Sequence, residues 1–159
     1  MKIKDIYSKK GNCTISVIYK NYMKMMDGAG SVISLKNCPD LGPILMAMAS
    51  LKSGMMFVDI GRLRDKESDR IDSMRKELSK CGVKVIELNN SVIIEKTNIH
   101  KPTEEIESHN DHRIVMAMTT ILSAIGGTIN GIEAVNKSYP SYFDDLKKLG
   151  LDIEIIEEK

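Results

Sequence analysis

The sequence predicts an α/β fold in which helices pack together in one layer and are covered by sheet. Three observations predict it. Short apolar runs of strand character alternate with helical stretches along the chain. The order helix, strand, basic loop, helix, strand occurs twice. The composition, 42% hydrophobic and 28% charged over 159 residues, is that of one folded domain (1–159) with a real core. Eleven methionines beside two phenylalanines and no tryptophan imply a core of flexible aliphatic side chains.

The first strands are read at 13–20, "CTISVIYK", and at about 30–36, "GSVISLK". "PDLGPILMAMASLKSG" is a helix starting near Asp40 and ending before Gly54, followed by the strand "MMFVDIG". "KESDRIDSMRKELSKCG" is an amphipathic helix with Ile71, Met74 and Leu78 on one face and Gly82 as its stop. Its alternating charges assign Arg75, Lys76 and Lys80 to solvent. "VKVIEL" and "SVIIEK", joined by "NN", form a hairpin. A third helix starts near Asp111, a strand covers "GTINGI", a fourth helix covers "PSYFDDLKKLG", and "LDIEIIE" ends the pattern. The two copies align with Asp40 71 residues before Asp111 (111 − 40) and Lys66 71 before Lys137 (137 − 66).

Charge excludes some functions and localises others. Net charge is +1, from 23 basic and 22 acidic residues, so no nucleic acid and no anionic membrane is expected as a partner, and anion binding must be local. The longest apolar stretch, about 114–129, is broken by threonines and glycines and falls short of the ~20 residues that span a bilayer. The N-terminus lacks the apolar core of a signal peptide, and Cys13, Cys38 and Cys81 lack metal or CxxC spacing. Reduced thiols and a cytoplasmic location are the expectation. His109 and His112 have no third ligand at metal spacing, so no metal is expected.

Helix starts carry the chemistry. A helix N-terminus is partially positive, and each misplaced cation there costs a few tenths of a kcal/mol. Yet His112 and Arg113 open the third helix, Lys66 and Arg70 open the second, and Lys137 stands just before the fourth, with Ser138 as its cap and Pro140 as an early helical residue. Glu67 can pair with Arg70 at spacing three. Asp40, at the first helix, suits the dipole as a cap. Free backbone N–H groups at such ends form anion sites, and added cations make sense if they converge on one doubly charged ligand. His112 is read equally as a site member or as a hydrogen-bonded structural residue.

The stretches "NCPDLGPILMAMA", "RLRDKESDRIDSMRKELSKCGVKV", "HNDHRIVMAM" and "NKSYPSYFDDLKKLG", in this order and spacing, resemble the C-terminal portion of the EPSP synthase (3-phosphoshikimate 1-carboxyvinyltransferase) family over about residues 30–150. The resemblance implies repeated βαβαββ units, helices inside and sheets outside, as in one lobe of a two-lobed enolpyruvyl transferase. It implies that the chain is most of the C-terminal lobe, with the N-terminal lobe absent, so that the chain alone is an incomplete half-site and inactive. The missing lobe, phosphoenolpyruvate and shikimate 3-phosphate are the partners implied, within the shikimate pathway of aromatic amino-acid biosynthesis, and no cofactor is required. By residue, the resemblance makes Asp40 the carboxylate that contacts the shikimate hydroxyls and a candidate general base. It has Lys66 and Glu67 handle the 5-hydroxyl and the methylene proton, Arg70 and Arg113 clamp phosphoenolpyruvate, and Lys137 meet its phosphate. Asp111 and His112 then support Arg113, with His112 near substrate. Two alternatives stand beside this reading: a non-catalytic anion-binding or structural domain of the same fold, and a relative of the UDP-N-acetylglucosamine enolpyruvyl transferases.

Overall fold

The computed structural model describes the backbone of residues 2–8 and all of residues 32–157. Among the described residues eight strands and four α-helices follow one another: β1 Lys2–Ser8, β2 Val32–Ser34, α1 Gly42–Leu51, β3 Met55–Val58, α2 Arg70–Lys80, β4 Val85–Leu88, β5 Ser91–Ile94, β6 Ile106–Glu107, α3 His112–Ile125, β7 Ile129–Asn130, α4 Tyr142–Lys148 and β8 Leu151–Ile156. The strand expected at 13–20 and the thiol of Cys13 lie outside the described residues. Cys38 and Cys81 are free thiols, and burial pushes that of Cys81 up to about 11.

From β2 to β5 the chain forms one complete βαβαββ unit; from β6 to β8 it forms a second that lacks its last strand. The sheets explain how that gap is filled. The first sheet runs β2-β3-β5-β4, and the second runs β6-β7-β1-β8. In both, the first pair is parallel and the next two are antiparallel. β1 therefore takes the place in the second sheet that β5 holds in the first. The sequence repeat is a structural repeat whose second copy is completed by the N-terminal segment, a strand that local pattern did not single out.

The helices lie between the sheets. α1 packs on β3 and β5, α3 on β1 and β7, and the two helices pack on each other. "GPILMAMASL" is nearly free of polar residues, and eight of its ten positions are buried. A helix apolar all round is stable only with partners on every side. In α2 the predicted face is the buried one: Ile71, Met74 and Leu78 are 0% exposed, each burial worth ~1.5–3 kcal/mol. Gly82 ends that helix at φ +81°, and Asn89–Asn90 turns the β4–β5 hairpin.

Two helix starts differ from expectation. Asp40 sits in a 3₁₀ turn, Pro39–Leu41, and its carboxylate caps no backbone group, because basic side chains claim it. Lys137 ends another 3₁₀ turn, Ile132–Lys137, and α4 begins only at Tyr142. Ser138 is no helix cap and Pro140 precedes the helix. The Ser141 hydroxyl, which stands at the N-cap position, donates to Asp145 Oδ2 at 2.9 Å.

Candidate active site

Three local structures aim the site. Asp69 caps α2, accepting from the amides of Ile71 and Asp72 at 3.1 Å each. Lys66 and Glu67 thereby fall in the bend before the helix, and Arg70 becomes its first residue. Asp111 caps α3, accepting from the Arg113 amide at 2.9 Å. The 3₁₀ turn holding Asp40 leads into α1 beside both.

Arg70 is the centre. It is 1% exposed, and three carboxylates occupy its guanidinium. Nε donates to Asp111 Oδ2 at 2.8 Å, Nη1 to Asp40 Oδ1 at 2.8 Å, and Nη2 to Glu67 Oε2 at 2.6 Å. Such a fork, with its fixed donor geometry, suits arginine and not lysine. Around it, Lys66 Nζ lies 3.2 Å from Asp40 Oδ1, and Arg113 Nη2 lies 3.6 Å from Asp40 Oδ2. His112 is 9% exposed, and its Nδ1, 3.9 Å from Glu67 Oε1, has no hydrogen-bond partner. Lys137 joins from the other unit: Nζ donates to Asn110 Oδ1 at 3.1 Å and to the Asn110 carbonyl at 3.3 Å, next to Asp111. Beside Asp40 and Arg113 opens a cavity of about 150 Å³, walled by Ile44, Met116, Thr120 and Tyr142.

The electrostatics follow. The hydrogen bond from Arg70, with Lys66 and Arg113 adding to it against partial burial, holds the Asp40 carboxyl below its ordinary range. Burial opposes ionisation of Asp111, but Arg70, the Arg113 amide and Ser68 outweigh it and keep that carboxyl low as well. Lys66, Arg70, Arg113 and Lys137 face Asp40, Glu67 and Asp111, so the cluster carries an excess of one positive charge without His112. Among the described residues no group of three His, Cys, Asp or Glu is placed to hold a metal ion.

All eight residues given a site role from the sequence, Asp111 included, stand in this neighbourhood. The interplay of Asp40 with Arg70 and Arg113 was not readable beforehand, since those residues are distant in sequence. One residue set was missed. Glu77, assigned no role among the alternating charges of α2, is 1% exposed, and Lys80 beside it is half-buried. Of the three side chains assigned to solvent, Lys76 is exposed and Arg75, like Lys80, is intermediate; Arg75 and Lys76 pair with Asp72.

The sequence model of the EPSP synthase (3-phosphoshikimate 1-carboxyvinyltransferase) family matches residues 3–146. The chain belongs to the EPSP synthase family. It is 42% identical to the 3-phosphoshikimate 1-carboxyvinyltransferase of Clostridium acetobutylicum over 154 residues, 95% of this chain and 35% of that protein. Against the Clostridium kluyveri enzyme it is 41% identical over 129 residues, 79% of this chain and 30% of that protein. The chain thus spans about a third of the length of these curated relatives. An EPSP synthase structure from Acinetobacter baumannii superposes with a TM-score of 0.66 at 31% identity, covering 75% of this chain and 29% of that one. The enolpyruvyl transferase NikO from Streptomyces tendae, at 17% identity and TM-score 0.56, shares the fold, over 76% of this chain and 27% of its own. No helix among the described residues is long and apolar enough to cross a membrane.

Proposed function

We propose that this chain supplies one half of a 3-phosphoshikimate 1-carboxyvinyltransferase site, the half that grips phosphoenolpyruvate and moves protons. The observation that carries the reading is the gathering of Asp40, Lys66, Glu67, Arg70 and Arg113 from three helix starts around one guanidinium. In the reaction, the 5-hydroxyl oxygen of shikimate 3-phosphate bonds to C2 of phosphoenolpyruvate as its proton leaves to a base and C3 gains a proton. The C2–O bond to phosphate then breaks, C3 gives up a proton, and the enol ether and inorganic phosphate result.

The ligand-free geometry assigns an order to these residues. Arg113 is 37% exposed and Lys66 24% exposed, so an entering dianion meets them first. Four of the five N–H donors of Arg70 are already taken, so the ligand's carboxylate gains a two-pronged contact with Arg70 only by displacing Asp40 or Glu67. Asp40 is the more exposed of the two, at 48% against 41% for Glu67, and is the one taken to swing. Losing its cations to the ligand returns its basicity toward that of an ordinary carboxylate, which suits a base acting on the shikimate hydroxyl. Glu67 and Lys66 are then left beside the reacting carbons, while Lys137 offers charge to the phosphate. Catalysis is chiefly fixed charge plus positioned proton transfer. The clamp also accounts for cations at helix starts: their mutual cost is offset when a dianion occupies the site.

Phosphate release is the assay. The chain alone with both substrates is expected to give no turnover, and addition of the polypeptide covering the rest of the C. acetobutylicum relative is expected to restore it. Robust turnover by the chain alone would reject the half-site reading. Phosphoenolpyruvate titrated into the chain should shift the backbone amides of 66–70, 111–113 and 137 together, and scattered or absent shifts would reject the clamp.

A further inference from the structure

α2 grips the segment before α3 at two points, and only one of them belongs to the cluster described above. Arg70 and Glu77 are seven residues apart, two helical turns, and share a face. Arg70 holds Asp111. Glu77, with its side chain 2% exposed, uses both carboxylate oxygens on the residues just upstream. Oε2 accepts from the Glu107 amide at 3.0 Å, and Oε1 lies 2.7 Å from His109 Nε2, which donates because the carboxylate can only accept. Lys80 Nζ closes the charge balance at 2.8 Å from Oε2 and donates also to the Glu105 carbonyl at 2.8 Å. Burial works against the Glu77 charge, and His109, Lys80 and the Glu107 amide together more than compensate, holding its carboxyl below the ordinary range.

Between the two grips the backbone is strained. His109 and Asn110 stand in succession at φ +50° and +55°, a left-handed region that residues other than glycine seldom visit. A conformation of this kind persists only where its surroundings over-determine it. Its consequence is local: the turn aims both oxygens of Asn110 at Lys137 and delivers Asp111 to Arg70. The opposite side is closed too, since a Cβ on Gly131 would stand 2.2 Å from Ser108 Oγ.

We infer that Glu77, with Lys80 and His109, is a positioning group for the anion site: it holds the left-handed turn that places Lys137 and Asp111, the buried partner of Arg70. This rests on the function proposed above in so far as the site's ligand is phosphoenolpyruvate, but the placement of Lys137 and Asp111 can be read without ligand.

The test compares His109→Ala with His109→Gln in the full chain, and adds Glu77→Gln. Alanine and glutamine are equally disfavoured at positive φ, but glutamine can offer an amide N–H where Nε2 stands. In ligand-free protein, His109→Ala should move the Asn110 and Asp111 amides and the Lys137 side-chain signal, leave the Val115–Leu122 amides in place, and speed hydrogen exchange at Glu107; His109→Gln should restore all of them. With phosphoenolpyruvate, loss of a hydrogen bond to a charged group predicts about tenfold weaker binding for His109→Ala and Glu77→Gln, and near-native binding for His109→Gln. Unchanged Asn110, Asp111 and Lys137 signals in His109→Ala, equal affinities of the two His109 variants, or a general collapse of the spectrum in His109→Ala would each overturn the inference. If Glu77→Gln alone fails to fold, the His109 pair decides. A wild-type chain that ignores phosphoenolpyruvate removes the function proposed above, and the ligand-free signals then decide the positioning role by themselves.

Discussion

Arg70 shows how one residue can be legible in type and illegible in circumstance. Its place in "KESDR" pointed to an anion, and its spacing from Glu67 pointed to an ion pair, which forms at 2.6 Å. That it is nearly sealed from solvent and shared with Asp111, itself 0% exposed, depends on a residue 41 positions away. A buried pair broken on one side leaves an uncompensated charge, which costs about 3–5 kcal/mol. Arg70→Met is therefore expected to lower unfolding stability in urea by that amount, and the double change with Asp111→Asn to cost clearly less than the two single changes added. A loss below about 1 kcal/mol for Arg70→Met would mean that Asp111 finds other partners or water.

At the scale of elements, the amphipathic period of α2, the hairpin turn and the glycine stops were written locally, and each is found where the pattern puts it. Ends were harder. α4 starts later than "KSYP" suggests because Ser141 and Tyr139 both hydrogen-bond Asp145 instead of capping the backbone. Glycines at two helix ends separate backbone strain from crowding. Gly54, after α1, has φ +74°, and a Cβ there would lie 2.4 Å from the Ile94 carbonyl oxygen of β5. Gly150, after α4, has φ +94° with nothing within 4 Å. Gly150→Ala should cost about 1 kcal/mol from φ alone, and Gly54→Ala well above that, since the backbone of β5 must move. Thermal melting of the two variants measures this, and equal losses would contradict the close approach.

For the whole molecule the decisive feature is the equivalence of the two sheets. The 71-residue offset between copies predicted two like units, yet it left the second one a strand short. β1 completes it, pairing with β8 from Lys2–Ile156 to Ser8–Leu151 and with β7 at Lys2–Asn130 and Ile3–Ile129. Removing residues 1–8 should speed amide exchange in β7 and β8 while β3 and β5 keep their protection, because each unit has its own sheet. Uniform loss of protection across both sheets would show instead that the units fold only together.

By itself the sequence determined where the four helices and the strands β2, β3, β4, β5, β7 and β8 lie, though not β1 or β6, that the pattern is repeated, and which cations stand at helix starts. These follow from neighbours within one or two turns, where period and capping act. Tertiary structure alone decided that Arg70 is enclosed by three carboxylates, that Glu77 turns inward to His109, and that the N-terminal strand lies between β7 and β8. Local periodicity tells which face of an element is apolar but not which distant surface covers it. Burial against a particular partner, with the desolvation it imposes, turns an ordinary surface charge into part of a site.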